Sequence, residues 1–177
     1  ILRHFSLRAI APIAIASITA AGVSKWMFGD SYLFAMDKIN VDLIALLPAA
    51  LIAGPLFGLV AVLFMMSIRH SARFAASSGW SPARLLISAA VGAGIVGMWV
   101  PEALGLGTGV VSSILNENTL DVSLIVLFVA KISLTALCIG FGMFGGVFSP
   151  ALLVGATAGA ILGRIFASIG ILGTGPG

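Results

Sequence analysis

The chain has 177 residues, of which 60% are hydrophobic and 8% charged, with a formal net charge of +3. A soluble domain is about half apolar and about a quarter charged, so this sequence has too little polar surface to face water; its solvent is lipid or other apolar protein. The dispersed basic residues make no nucleic-acid patch, and the single Cys138 excludes an internal disulfide and reads as a small buried hydrophobe in an apolar run.

The chain has neither an initiating Met nor a signal-peptide pattern, and the expectation is a piece of a longer protein. A first apolar run covers Ala9 to Phe28, with Lys25 as its one charge. Roughly 20 residues at ~1.5 Å each cover the ~30 Å hydrocarbon core. A polar connection with Asp30, Asp37, Lys38 and Asp42 follows, then an uncharged run from Leu43 to Ile68 that carries Pro48, Gly54, Pro55 and Gly58. Pro55 removes one main-chain bond and is expected to bend this helix. Such breaks survive in lipid only when packed against other helices.

Arg69, His70 and Arg73 come next, followed by the loop from Ser77 to Pro82. Ser81 is placed to cap a helix and Pro82 suits its first position. A third run, Leu85 to Val100, carries Gly92, Gly94 and Gly97, small residues of the kind that let helix backbones approach closely. Pro101 and Glu102 end it. The glycine-rich connector from Gly105 to Gly109 lacks the spacing of a dinucleotide fingerprint. A short helix is expected from Val110 to Leu115, then polar residues Asn116, Glu117, Asn118 and Asp121. A fourth run covers Val122 to Phe141 with Lys131 near its middle. A fifth covers Phe148 to Ile169, where Gly155, Gly159 and Gly163 make a GxxxGxxxG face and Arg164 anchors the far end. The Lys/Arg bias of Arg3, Arg8, Arg69, Arg73 and Arg84 puts the start of the chain and the 69–84 loop on the cytoplasmic side. Trp26, Trp80 and Trp99 lie near helix ends, as interfacial anchors do.

The segment from Gly140 to Pro150 interrupts two apolar helices with glycines and restarts a helix at Pro150. A helix start leaves main-chain N–H groups unpartnered and carries about half a positive charge. Glycine lets an ion approach the main chain, so the break has the makings of a backbone anion site. The plainer reading is a tight turn, with Gly at a helix end and Pro at the next helix start.

Gly146-Val147-Phe148-Ser149-Pro150 matches the GxFxP motif of the CLC family of chloride channels and chloride/proton antiporters. The flanking stretches KISLTALC at 131–138 and ALLVGATAG at 151–159, and PEALG at 101–105, are also similar to that family; the likeness runs from Arg3 to about Arg164. The resemblance implies an all-α, polytopic transmembrane protein, part of an inverted-repeat fold with tilted and broken helices, in which residues 1–177 correspond to about helices I to N and no soluble domain is present. It implies chloride transport, as channel or antiporter, by a homodimer in the bilayer, with the rest of the same polypeptide as partner and protons as the second ion of an antiporter. It implies no cofactor. The positions matching the family's chloride-binding amides are Val147 and Phe148, with Gly145, Gly146, Ser149 and Pro150 shaping the same turn. The family's coordinating serine and tyrosine and its gating and proton glutamates have no counterpart here; Tyr32, the one tyrosine, is out of place for that role. A bacterial inner membrane is the expected location.

Lys131, an ionisable group in an apolar helix, is suspect by default. It either adds positive potential to the anion route, or snorkels to an interface, or pairs with a carboxylate elsewhere. Glu102 and Glu117 read as solvated vestibule residues. His4 and His70 lie far from any second ligand, so no metal is expected. An intramembrane serine protease would need a Ser beside a base, and no GxSxG pattern occurs. A non-conducting structural or assembly subunit is the remaining alternative.

Overall fold

A computed structural model describes residues 7–29, 43–116 and 123–169. Asp30, Tyr32, Asp37, Lys38, Asp42, Glu117, Asn118, Asp121, Arg3 and His4 lie outside these residues. All regular structure among them is helical: α1 Leu7–Phe28, α2 Leu43–Ser77, α3 Pro82–Trp99, α4 Thr108–Leu115, α5 Leu124–Gly140 and α6 Phe148–Ile169, with a 3-10 turn at Pro101–Ala103. Two units separate at residue 35. The first contains α1, whose described side chains are all exposed. The second contains α2 to α6.

Four helices are long and apolar enough to cross a membrane, over Ala11–Phe28, Leu47–Ser77, Pro82–Trp99 and Phe148–Ile169. Large apolar side chains cover their outer surfaces, including Ile18, Leu51, Ile87 and Trp99. Such surfaces are stable against lipid or further helices, where every main-chain group is paired within its own helix.

In the second unit α5 is the central element, with Leu124, Leu127, Lys131, Ile132, Leu134, Thr135 and Ala136 all buried. Leu127 and Leu134 pack with Val100 and Ala103 on the α3 side. Ile132 packs with Phe64 of α2 and Val154 of α6. Between apolar helices in lipid, close packing supplies the association that hydrophobic burial supplies in water, and the closest approach lies at Gly140. A Cβ there would stand 2.9 Å from the Ala72 amide nitrogen and nearer still to the Ser71 side chain. Phe74 and Phe141 stack beside it with ring centroids 6.1 Å apart.

Several boundaries differ from those the sequence suggested. α2 does not stop at Ile68 but runs through Arg69, His70 and Arg73 to Ser77, because straight-chain basic residues are good helix formers. The helix ends where Gly79 takes a left-handed φ of 65°. Pro48 and Pro55 lie inside it and neither ends it. α3 begins at Pro82, and Ser81 precedes it without a side-chain capping bond. α4 begins at Thr108, two residues early, since left-handed Gly107 turns the chain directly into it.

The glycine faces also behave differently from expectation. An added Cβ would meet nothing within 4 Å at Gly94, Gly155 or Gly163, and only the Phe57 ring at 3.6 Å at Gly159. Gly92 and Gly97 abut the side chains of Leu137 and Leu104. Within the described unit these faces do not bring helix backbones together; Gly140 does.

Candidate anion site

The break between α5 and α6 is closed at one end and open at the other. At the end of α5, Phe141 is followed by Gly142 with φ 88°. The Gly142 amide donates to Ile139 O at 3.1 Å, and the Met143 amide donates to Cys138 O at 2.9 Å. This paired bonding around a left-handed glycine is the Schellman arrangement, which satisfies carbonyls that a helix end would otherwise expose. The negative pole of α5 is thereby capped within its own chain.

The start of α6 lacks such treatment. Its first helical bond runs from the Ala151 amide to Val147 O at 3.0 Å. Among the described residues, the amides of Gly145, Gly146, Val147, Phe148 and Ser149 meet no backbone acceptor. Pro150, in the first turn rather than at the helix start as expected, has no N–H to satisfy. A run of unpaired donors at the positive end of a 22-residue helix favours negative charge.

Val147 is 43% exposed and Phe148 is 81% exposed, so the start of α6 lies at the surface of the described residues. At Gly145 and Gly146 an added Cβ would meet nothing within 4 Å. These two glycines are not required by packing. They leave the main chain bare to whatever approaches it. The structure brings Gly145, Gly146, Val147, Phe148, Ser149 and Pro150 together in one segment, with a tight turn at the α5 side and an uncapped helix start at the α6 side.

Two polar residues occupy positions that the sequence did not reveal. Lys131 neither snorkels nor stands free; it is 4% exposed. Its Nζ donates to Ala103 O at 2.9 Å and to Gly105 O at 2.8 Å. A buried ammonium in an apolar unit is costly unless hydrogen-bonded, and two carbonyls of the irregular connector meet that need. Ser149 Oγ donates to Leu106 O at 2.5 Å. A serine hydroxyl has one proton to give, and here it is committed to the connector. PEALG at 101–105 and GxFxP at 146–150 carried the signal of two related segments, but their spacing does not tell that they meet.

Glu102 is half-buried rather than solvated, and its Oε2 is enclosed with no donor among the described residues. Cys138 is also half-buried. It lines a cavity of about 190 Å³ together with Leu104, Gly105, Lys131, Gly145 and Gly146. Among the described residues no three His, Cys, Asp or Glu side chains gather to hold a metal ion.

The apolar spans and the helix break inside the packed unit define an integral, multi-pass membrane protein. A family model described as voltage gated chloride channel matches residues 1–176. The H(+)/Cl(-) exchange transporter ClcA of Vibrio campbellii is 30% identical over 90% of this chain and 35% of its own length. Chloride channel protein CLC-f of Arabidopsis thaliana is 32% identical over 90% of this chain and 22% of its own length. ClcA of Vibrio cholerae is 27% identical over 92% of the chain and 36% of its own length. No solved structure matches significantly. The chain belongs to the voltage gated chloride channel family, and it spans about a third or less of the length of these relatives.

Proposed function

We propose that this segment supplies one wall of a chloride pathway across the membrane, and that residues 1–177 are part of a larger CLC-type transmembrane domain. The observation that carries the reading is the asymmetric break: the α5 carbonyls are capped, while the amides from Gly145 to Ser149 are left without backbone acceptors. Val147 and Phe148 offer the amides, Gly145 and Gly146 keep the approach clear, and Ser149 and Pro150 hold the turn. Partial charges of this kind bind a halide without trapping it, as conduction requires. The outward-facing apolar surfaces would be covered by the rest of the polypeptide, by lipid and by a second subunit.

The matched relatives are named as an exchange transporter and as a channel. Chloride movement is common to both names, and proton coupling separates them. A bacterial inner membrane, with the 69–84 segment cytoplasmic, agrees with the Vibrio relatives and with the basic residues there.

The test is chloride efflux from liposomes containing the complete protein, with potassium and valinomycin clamping the voltage. Flux that falls on Phe148→Ala or Gly146→Val supports the site. A folded protein without flux favours an assembly role. Chloride-driven proton uptake in the same vesicles distinguishes an antiporter from a channel.

A further inference from the structure

The connector between α3 and α4, residues 101–107, is irregular main chain within an apolar unit. Three of its carbonyls are taken by side chains from outside it. Lys131 Nζ holds Ala103 O and Gly105 O at 2.9 and 2.8 Å, and Ser149 Oγ holds Leu106 O at 2.5 Å. A further contact fixes its end: a Cβ on left-handed Gly107 would lie 2.8 Å from the Leu153 side chain, one helical turn beyond Ser149. The connector therefore lies along the first turns of α6, bonded to α5 at one point and to α6 at another. Connector residues Ala103, Leu104 and Gly105 line the same 190 Å³ cavity as Gly145 and Gly146 of the turn.

We infer that Lys131 and Ser149 are positioning residues that act as a two-point clamp on the 101–107 connector, holding Leu104 and Gly105 in the lining of the cavity that Gly145 and Gly146 also line, and so setting which anions the turn admits. The inference rests on the anion-site reading for its consequence and on the hydrogen bonds alone for the clamp. Neither side chain needs to touch the ion. The Lys131 ammonium is directed at carbonyls, and the Ser149 proton is given to Leu106. Loss of either bond frees the connector to move into or away from the cavity.

The experiment uses the complete protein with Lys131→Met, Ser149→Ala, the double substitution and Lys131→Arg. Hydrogen–deuterium exchange of the peptide spanning residues 101–111 reads the clamp directly. Ser149→Ala removes one hydrogen bond of ordinary net strength and should speed its exchange about three- to tenfold, and Lys131→Met, which removes two, should speed it at least as much. The double variant should exceed the faster single by less than about twofold, since both side chains hold one segment. Lys131→Arg should restore slow exchange. The thiocyanate-to-chloride flux ratio, measured in liposomes, should shift in the same direction in both single variants. Ser149 is neutral, so a shared shift cannot come from lost positive charge. Unchanged exchange in either single variant overturns the clamp. So does a flux ratio altered by Lys131→Met while Ser149→Ala leaves it as in the wild type. If the wild-type protein carries no anion, the site reading fails, and the exchange result still decides the clamp.

Discussion

Two stretches of main chain join helices of the second unit, and their carbonyls are held in different ways. In the connector at 101–107, Ala103 O, Gly105 O and Leu106 O are taken up by Lys131 and Ser149, and the amides of Gly105, Leu106 and Gly107 meet no backbone acceptor among the described residues. The turn at 141–147 caps the end of α5 and leaves the amides that lead into α6 without backbone acceptors. Non-helical backbone at membrane depth is tolerated only where it is satisfied by protein or lines a cavity. Both stretches line the same cavity, the connector through Leu104 and Gly105 and the turn through Gly145 and Gly146, and the connector is also bonded to side chains of α5 and α6. On the proposed reading, substitutions in the connector's supports should cost stability, whereas those at the start of α6 should cost ligand.

The largest effect is expected where the turn is anchored. Gly140→Val would drive a side chain into the Ser71 side chain and the Ala72 main-chain nitrogen of α2, and the main chain cannot yield as a side chain end can. A loss of about 3 kcal/mol is expected, read as a collapse of the monodisperse peak in detergent size-exclusion chromatography. Lys131→Met comes next. It orphans two carbonyls but also removes the burial cost of an ammonium, so a net loss of about 2 kcal/mol is expected in thermal unfolding. A more stable Lys131→Met protein would mean that the connector is held by packing alone.

Gly146→Val should behave differently. An added Cβ meets nothing in the fold, so unfolding should change by less than about 0.5 kcal/mol, as at a surface position. Chloride binding by calorimetry should weaken about tenfold through blocked approach to the amides. If stability falls instead, the glycine serves packing and the site reading loses its support. The smallest effect on folding should come from Phe148→Ala, since the ring is 81% exposed. Its signature is an altered anion flux or selectivity ratio, with an unchanged melting curve.

The sequence alone determined that this is a bundle of apolar helices, because hydrophobic run length and the scarcity of charge are set by residue order and the thickness of the bilayer. It also determined the family, because GxFxP and its flanking helices are local patterns. Tertiary structure alone decided what Lys131 and Ser149 do. Their partners stand 26 to 43 positions away in the chain, a separation at which periodicity carries no information. The same holds for the glycines. Small residues at helical spacing permit a close approach, but only the packing of α2 on α5 selects Gly140 over the GxxxGxxxG face, because a backbone contact needs a neighbour and a one-chain pattern does not name one.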